Sequence, residues 1–267
     1  MTTGTLDDLQ SRLQILGEVG IAVSGGVDSM TLAVVAHRLT GVTPTMFHAV
    51  SPAVPAEATE RVRRFSAVEG WDLQLLDAGE FADERYLRNP ANRCLFCKTN
   101  LYDAIATQTS RQLVSGTNTD DLTDFRPGLQ AADDHNVRHP FVEAGIGKSG
   151  IRAIARQLGL DDLSELPSAP CLSSRIETGI RIQPITLHFV EDVERELTAR
   201  LQPRLIRCRV RSDRVVLELD QDTLSSLNTS VRESARKHIA TLWTAKSSLP
   251  PVEFAVYRRG SAFLRTT

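Results

Sequence analysis

Between residues 19 and 39 the chain passes from a short apolar run, through two adjacent glycines, into a segment with apolar residues at helical spacing. Val19 to Val23 reads as a strand, Ser24-Gly25-Gly26-Val27-Asp28-Ser29 as a tight loop, and Ser29 to Leu39 as a helix. Adjacent glycines let the backbone turn sharply and aim its N–H groups at an anion, and the helix N-terminus adds the positive end of its dipole. Ser24 and Ser29 offer hydroxyl donors, while Asp28 can hold Mg²⁺ or brace the loop itself. A Gly-Gly pair alone marks an ordinary turn. The whole six-residue string in a strand-to-helix setting specifies a phosphate-binding loop.

The same alternation continues. Thr45 to Val50 has strand character, Ala56 to Gly70 reads as an amphipathic helix, and Trp71 to Leu76 and Gln112 to Ser115 read as further strands. Strands alternating with helices predict right-handed crossovers and an α/β domain with a doubly wound, mostly parallel sheet over residues 1–182. Ligands of such sheets bind beyond the carboxyl ends of the strands, where the first loop lies. After Pro184 the pattern changes to a helix over Thr186 to Leu201 and two β-prone runs, Leu205 to Arg211 and Arg214 to Leu219, joined at Ser212-Asp213. A smaller α+β domain over 183–267 is expected to serve substrate binding or oligomerisation, with the chain acting as a homo-oligomer.

Composition limits the function classes. The 267 residues are 41% hydrophobic, enough for a substantial core. A formal net charge of -2 gives no overall basic field for nucleic acid. The N-terminal segment lacks the basic and apolar regions of a signal peptide, and no apolar run approaches the roughly 20 residues of a membrane span. A cytoplasmic protein without a membrane partner is therefore expected, and in a reducing cytosol its four cysteines point to metal or redox chemistry rather than disulfides. Val142 to Ser149 ends like a Walker loop, but Val142 stands where the first glycine is needed, so Lys148 reads as the start of a helix.

Three more segments narrow the reading: Asn92-Arg93-Cys94-Leu95-Phe96-Cys97-Lys98; Ser115-Gly116-Thr117-Asn118-Thr119-Asp120-Asp121, continuing to Asp124-Phe125-Arg126-Pro127-Gly128; and Pro170-Cys171-Leu172-Ser173-Ser174-Arg175-Ile176. The first loop resembles that of the PP-loop ATP pyrophosphatases, whose fold is that of the adenine nucleotide alpha hydrolases. With the three segments, residues 15 to 180 resemble the ATP-dependent sacrificial sulfur transferase LarE family. The resemblance implies cleavage of ATP between its α and β phosphates with Mg²⁺, and adenylation of a carboxylate on a pyridinium dicarboxylate mononucleotide. Replacement of AMP by sulfur then gives a thiocarboxylate on the route to the nickel-pincer nucleotide cofactor. It places ATP on Ser24, Gly25, Gly26, Val27, Asp28, Ser29 and Gly116. It makes Cys171 the sulfur carrier, either as a sacrificial thiol or, with Cys94 and Cys97, as a ligand of a [4Fe–4S] cluster. The sulfur donor is not fixed by the resemblance.

From the residues alone, Cys94 and Cys97 fit zinc, with His135 or His139 contributing, as well as a redox pair, an iron-sulfur site or structural thiols. Cys171 sits in a loop, a favoured place for reactive groups, although the commoner fate of a single cysteine is a buried, inert thiol. Cys208 alternates with Arg207 and Arg209 on a strand, which turns it toward the small domain's core. Arg207 and Arg209 then share a face suited to a substrate phosphate or to surface ion pairs, and Arg175 adjoins the cysteine loop. Asn118, Asp120, Asp121, Asp124 and Arg126 crowd one sheet-end loop, as a nucleotide or substrate site or as Asx turns and helix caps. A tRNA thiolase, an amidating PP-loop enzyme and a non-catalytic nucleotide sensor are the rival readings.

Overall fold

The apolar run and the helical segment around the double glycine form the centre of the first of two units. The computed structural model describes residues 4–123, 126–168, 170–243 and 248–264, so Asp124 and Phe125 lie outside the described residues. The first unit comprises residues 1–83 and 92–169, the second 84–91 and 170–267. Residues 170–182, which the sequence groups with the first domain, thus fall in the second unit.

In the first unit the elements run α1 (Leu6–Leu16), β1 (Glu18–Ala22), α2 (Val27–Arg38), β2 (Thr43–Ala49), α3 (Ala56–Glu69), β3 (Leu73–Leu76), α4 (Arg93–Ala106), β4 (Gln112–Ser115), α5 (Gly128–Asp134) and α6 (Lys148–Gln157). The four strands form one all-parallel sheet in the order β3-β2-β1-β4. The fold is α/β as the sequence predicts. Helix α1 escaped the hydrophobic pattern, although Thr5 and Asp8 close a capping box at its start.

Alternate residues of each strand feed two cores. Ile21, Met46 and Val114 join α1, α2 and α6 on one face, while Phe47 and Leu113 pack with Tyr102 and Ile105 of α4 and Ala131 and Ala132 of α5 on the other. Helix α2 is buried from Ser29 through Ala36, so Leu32→Ala there costs about 2–5 kcal/mol. Because β4 returns to the opposite side of β1 from β2, the sheet's switch point lies between β1 and β4. In sheets of this kind that crevice takes ligands.

The second unit is built on α7 (Pro184–Leu201), β5 (Ile206–Val210), β6 (Val215–Leu219), α8 (Gln221–Ser226), α9 (Thr229–Leu242) and β7 (Val252–Val256). β5 and β6 are antiparallel, with Cys208 opposite Leu217, and Arg211 closes the hairpin by donating its N–H to the Arg214 carbonyl. β7, which the sequence reading lacks, pairs parallel to β6. Residues 170–182 belong here through the Ile176–Val210 bridge. Residues 84–91 join them: the Tyr86 hydroxyl is 2.6 Å from that of Ser173, and Asn89 Nδ2 donates to the Glu177 carbonyl. No helix among the described residues is long and apolar enough to cross a membrane.

Candidate functional site

The carboxyl ends of β1 and β4 lie side by side, Ala22 opposite Ser115, and the loops that follow them touch. A Cβ on Gly116 would stand 2.7 Å from the Ser29 amide nitrogen and 2.9 Å from the Asp28 carbonyl carbon, so only glycine lets the two loops close. On the other flank Gly25, at φ +78°, has its Cα side against Ala58 of α3, whose carbonyl oxygen would be 2.7 Å from a Cβ.

The loop is tied internally. Ser29 Oγ accepts from the Ser24 amide at 3.0 Å, lies 3.1 Å from Ser24 Oγ and donates to the Gly26 carbonyl at 3.3 Å. The first intrahelical bond of α2 runs from Met30 to Gly26, leaving the Val27 and Asp28 amides without an intrahelical acceptor. These donors, beside the dipole end, suit an anion.

Asp28 faces a residue that the sequence assigned only to a helix start. Lys148 Nζ is 2.7 and 2.6 Å from the two Asp28 carboxylate oxygens. Burial pushes the Asp28 carboxyl above its ordinary range; Lys148 pulls it part of the way back, and the Asp121 charge adds to the rise. Asp120 Oδ2 accepts the Lys148 backbone N–H at 2.9 Å and so caps α6, while a Cβ on Gly147 would meet Asp120 Oδ1 at 2.8 Å. The signal for Lys148 was present as Gly147-Lys148-Ser149 at a helix start. Its partner was not, because Asp28 becomes its neighbour only in the folded unit.

Asn118 and Asp121 form a turn: Asp121 Oδ2 accepts from the Asn118 backbone and side-chain amides at 3.2 and 3.1 Å, and Asn118 Oδ1 accepts the Asp120 amide. Arg126 pairs with Asp121 at 2.6 Å. Ser115 Oγ lies 3.0 Å from His139 Nδ1, and burial lowers the His139 pKa. His135 is engaged elsewhere, by the Ala131 carbonyl and Asp103. The first unit thus brings Ser24 to Ser29, Gly116, Asn118, Asp121 and Lys148 to the carboxyl end of its sheet.

Cys94 and Cys97 are half-buried in the first two turns of α4. Cys171 belongs to the second unit and is exposed, immediately before the 3-10 turn Leu172–Arg175. None of these three thiols is a core group. Within each unit, no three His, Cys, Asp or Glu side chains among the described residues stand together as a metal site. Cys208 is fully buried in β5, where burial pushes its thiol far above the ordinary range.

Arg175 is also buried. Its guanidinium forks onto Glu194 of α7 at 3.0 and 2.9 Å and donates to the Pro170 and Cys171 carbonyls, so it shapes the cysteine loop from within. Glu194 carries no local motif signal and was missed. Arg207 lies 3.8 Å from the same Glu194, and Arg209 forms a buried pair with Glu218 at 2.9 Å while donating to the Ser174 carbonyl.

No family model matches the chain. It is 35% identical over 222 residues, 79% of this chain and 80% of the relative, to an uncharacterized protein of Synechocystis sp.. An uncharacterized protein of Methanocaldococcus jannaschii is 27% identical over 212 residues, 78% of this chain and 80% of the relative. The pyridinium-3,5-bisthiocarboxylic acid mononucleotide synthase of Lactiplantibacillus plantarum is 26% identical over 218 residues, 80% of this chain and 78% of the synthase.

Proposed function

Because this chain belongs to one family with the 35%-identical Synechocystis protein, and also matches the Lactiplantibacillus plantarum synthase over four-fifths of its length, we propose that it is a LarE-like, ATP-dependent sulfur transferase. The observation that carries this reading is the phosphate loop with Asp28 and Lys148 at its mouth, closed from the side by Gly116.

The Val27 and Asp28 amides and the start of α2 receive the phosphates of ATP. Asp28 would hold the Mg²⁺ that accompanies ATP, and Lys148, paired with Asp28 at 2.7 and 2.6 Å, is within reach to turn to the phosphates. A carboxylate oxygen of the substrate, a pyridinium dicarboxylate mononucleotide, attacks the α-phosphorus; the α–β bridging bond breaks and pyrophosphate leaves. Loop amides, Lys148 and the metal oppose the charge that grows on the leaving group. Asn118, Asp121 and Arg126 border this nucleotide site, and Arg175, Arg207 and Arg209 serve the substrate's phosphate and the cysteine loop.

The Cys171 thiolate then attacks the acyl carbon and AMP departs with the electron pair, giving a thioester. Loss of the Cys171 Cα proton and cleavage of its Cβ–Sγ bond release the thiocarboxylate and leave dehydroalanine. Alternatively, Cys94, Cys97 and Cys171 would be the thiolates that hold a [4Fe–4S] cluster, which when bound would supply an open iron for external sulfide and spare the protein sulfur.

The test incubates the anaerobically prepared protein with Mg-ATP and pyridinium-3,5-dicarboxylate mononucleotide. Substrate-dependent AMP and pyrophosphate and a thiocarboxylate product are expected. Absence of pyrophosphate with intact, folded protein would overturn the reading. The mass of the Cys171 peptide and the number of products per chain separate the routes: loss of hydrogen sulfide with at most one product marks the sacrificial thiol, and several products with unchanged mass mark the cluster.

A further inference from the structure

We propose that Arg61 is a phosphate-binding residue of this site, contacting the β,γ-diphosphate end of ATP beside Gly25. The inference rests on the nucleotide reading above and adds a residue that none of the motifs contains.

Arg61 lies on α3, one turn beyond Ala58, the residue packed on Gly25. Its Nη1 donates to the Gly25 carbonyl at 2.8 Å, so the guanidinium is already at the loop. The helix that carries it is anchored there too: Thr59 Oγ1 is 2.9 Å from His48 Nε2, and His48 Nδ1 is 2.8 Å from the Val23 carbonyl, the residue before the loop.

That one bond to a neutral carbonyl does not account for the charge. No carboxylate forms an ion pair with Arg61 among the described residues; Glu57, one turn earlier, acts on it only through its charge. Burial therefore pushes the guanidinium pKa down, with Glu57 only partly opposing it and the neighbouring Arg64 adding to it. By contrast Arg63, on the same helix, is paired with Glu60. A half-buried guanidinium with one neutral partner keeps donors and an uncompensated charge for an anion, and a phosphate oxygen is the anion that the adjacent loop selects.

Titration calorimetry with Mg-ATP, inorganic pyrophosphate and AMP tests the assignment on the full chain. Arg61→Gln keeps an amide donor for the Gly25 carbonyl but removes the charge, and Arg61→Lys keeps the charge. Arg61→Gln should bind Mg-ATP and pyrophosphate about 10- to 100-fold more weakly, in line with loss of a charged hydrogen bond. AMP binding should change less than about twofold, and Arg61→Lys should recover most of the loss. The exposed Arg64→Ala, on the same helix, should match the wild type. If Arg61→Gln and Arg61→Lys weaken pyrophosphate binding equally, Arg61 is a brace for the loop and the inference fails. It also fails alone if the wild type binds both ligands and Arg61→Gln binds them as well. If the wild type binds neither Mg-ATP nor pyrophosphate, the nucleotide reading falls with it.

Discussion

Lys148 Nζ sits 2.7 Å from one carboxylate oxygen of Asp28 and 2.6 Å from the other, tying the first turn of α2 to the first residue of α6 across 120 positions of sequence. The lysine supplies the positive charge that a desolvated carboxylate needs. On the nucleotide reading proposed above, the site has its anion and its cation both in place before ATP arrives.

Asp28→Ala should therefore lower substrate-dependent pyrophosphate release by at least about 100-fold, the order lost when a group opposing transition-state charge is removed. Lys148→Ala should weaken Mg-ATP binding and slow release by about 10- to 100-fold. Circular dichroism should show both variants folded. Normal release from folded Asp28→Ala would take the loop out of the reaction.

Gly116→Ala tests the contact between the two loops. The new Cβ would meet the backbone of Asp28 and Ser29 rather than the end of a flexible side chain. The loops must part, with a stability loss of about 1–3 kcal/mol and a larger relative loss of Mg-ATP affinity. A variant with wild-type affinity and melting temperature would show that the loops need not close.

His48 makes stability depend on pH. The Val23 carbonyl can only accept, so Nδ1 carries the proton and the neutral ring's Nε2 accepts from Thr59. Burial pushes the imidazole pKa below its ordinary 6.5. The unfolded chain then takes up a proton that the folded chain resists, so this contribution is full above about pH 6.5 and is lost as pH falls through the folded pKa. Urea midpoints should fall between about pH 7.5 and about pH 5, and His48→Gln should flatten part of that slope. An unchanged slope would remove His48 as its source.

The cysteines should separate by exposure. Cys171→Ala is expected to keep AMP and pyrophosphate formation but lose sulfur transfer on either route, since adenylation does not use the thiol. Iodoacetamide should label exposed Cys171 in the native protein and leave buried Cys208 unlabelled until unfolding. Cys208→Ala should retain sulfur transfer while losing about 1 kcal/mol of stability to the small cavity it leaves. Sulfur transfer at the wild-type rate by Cys171→Ala would end the role given to that residue.

The sequence alone determined the parallel α/β unit and the glycine loop between its first strand and the helix that follows. Glycine pairs, strand runs and helical spacing are local, and Val19 to Leu39 declares all three within about two dozen residues. The β5–β6 hairpin was legible for the same reason, and so was the core position of Cys208, through strand alternation. Tertiary structure decided what local pattern cannot encode. It chose Lys148 as the partner of Asp28, Glu194 as the anchor of Arg175, Glu218 as the counter-charge of Arg209, and Gly25 as the contact of Arg61. It also gathered residues 84–91 with 170–182 and added β7 at the sheet edge. A charged side chain becomes a brace, a counter-ion or a ligand-binding group according to what burial leaves beside it, and those neighbours are set by the crossing of helices and strands far apart in the chain.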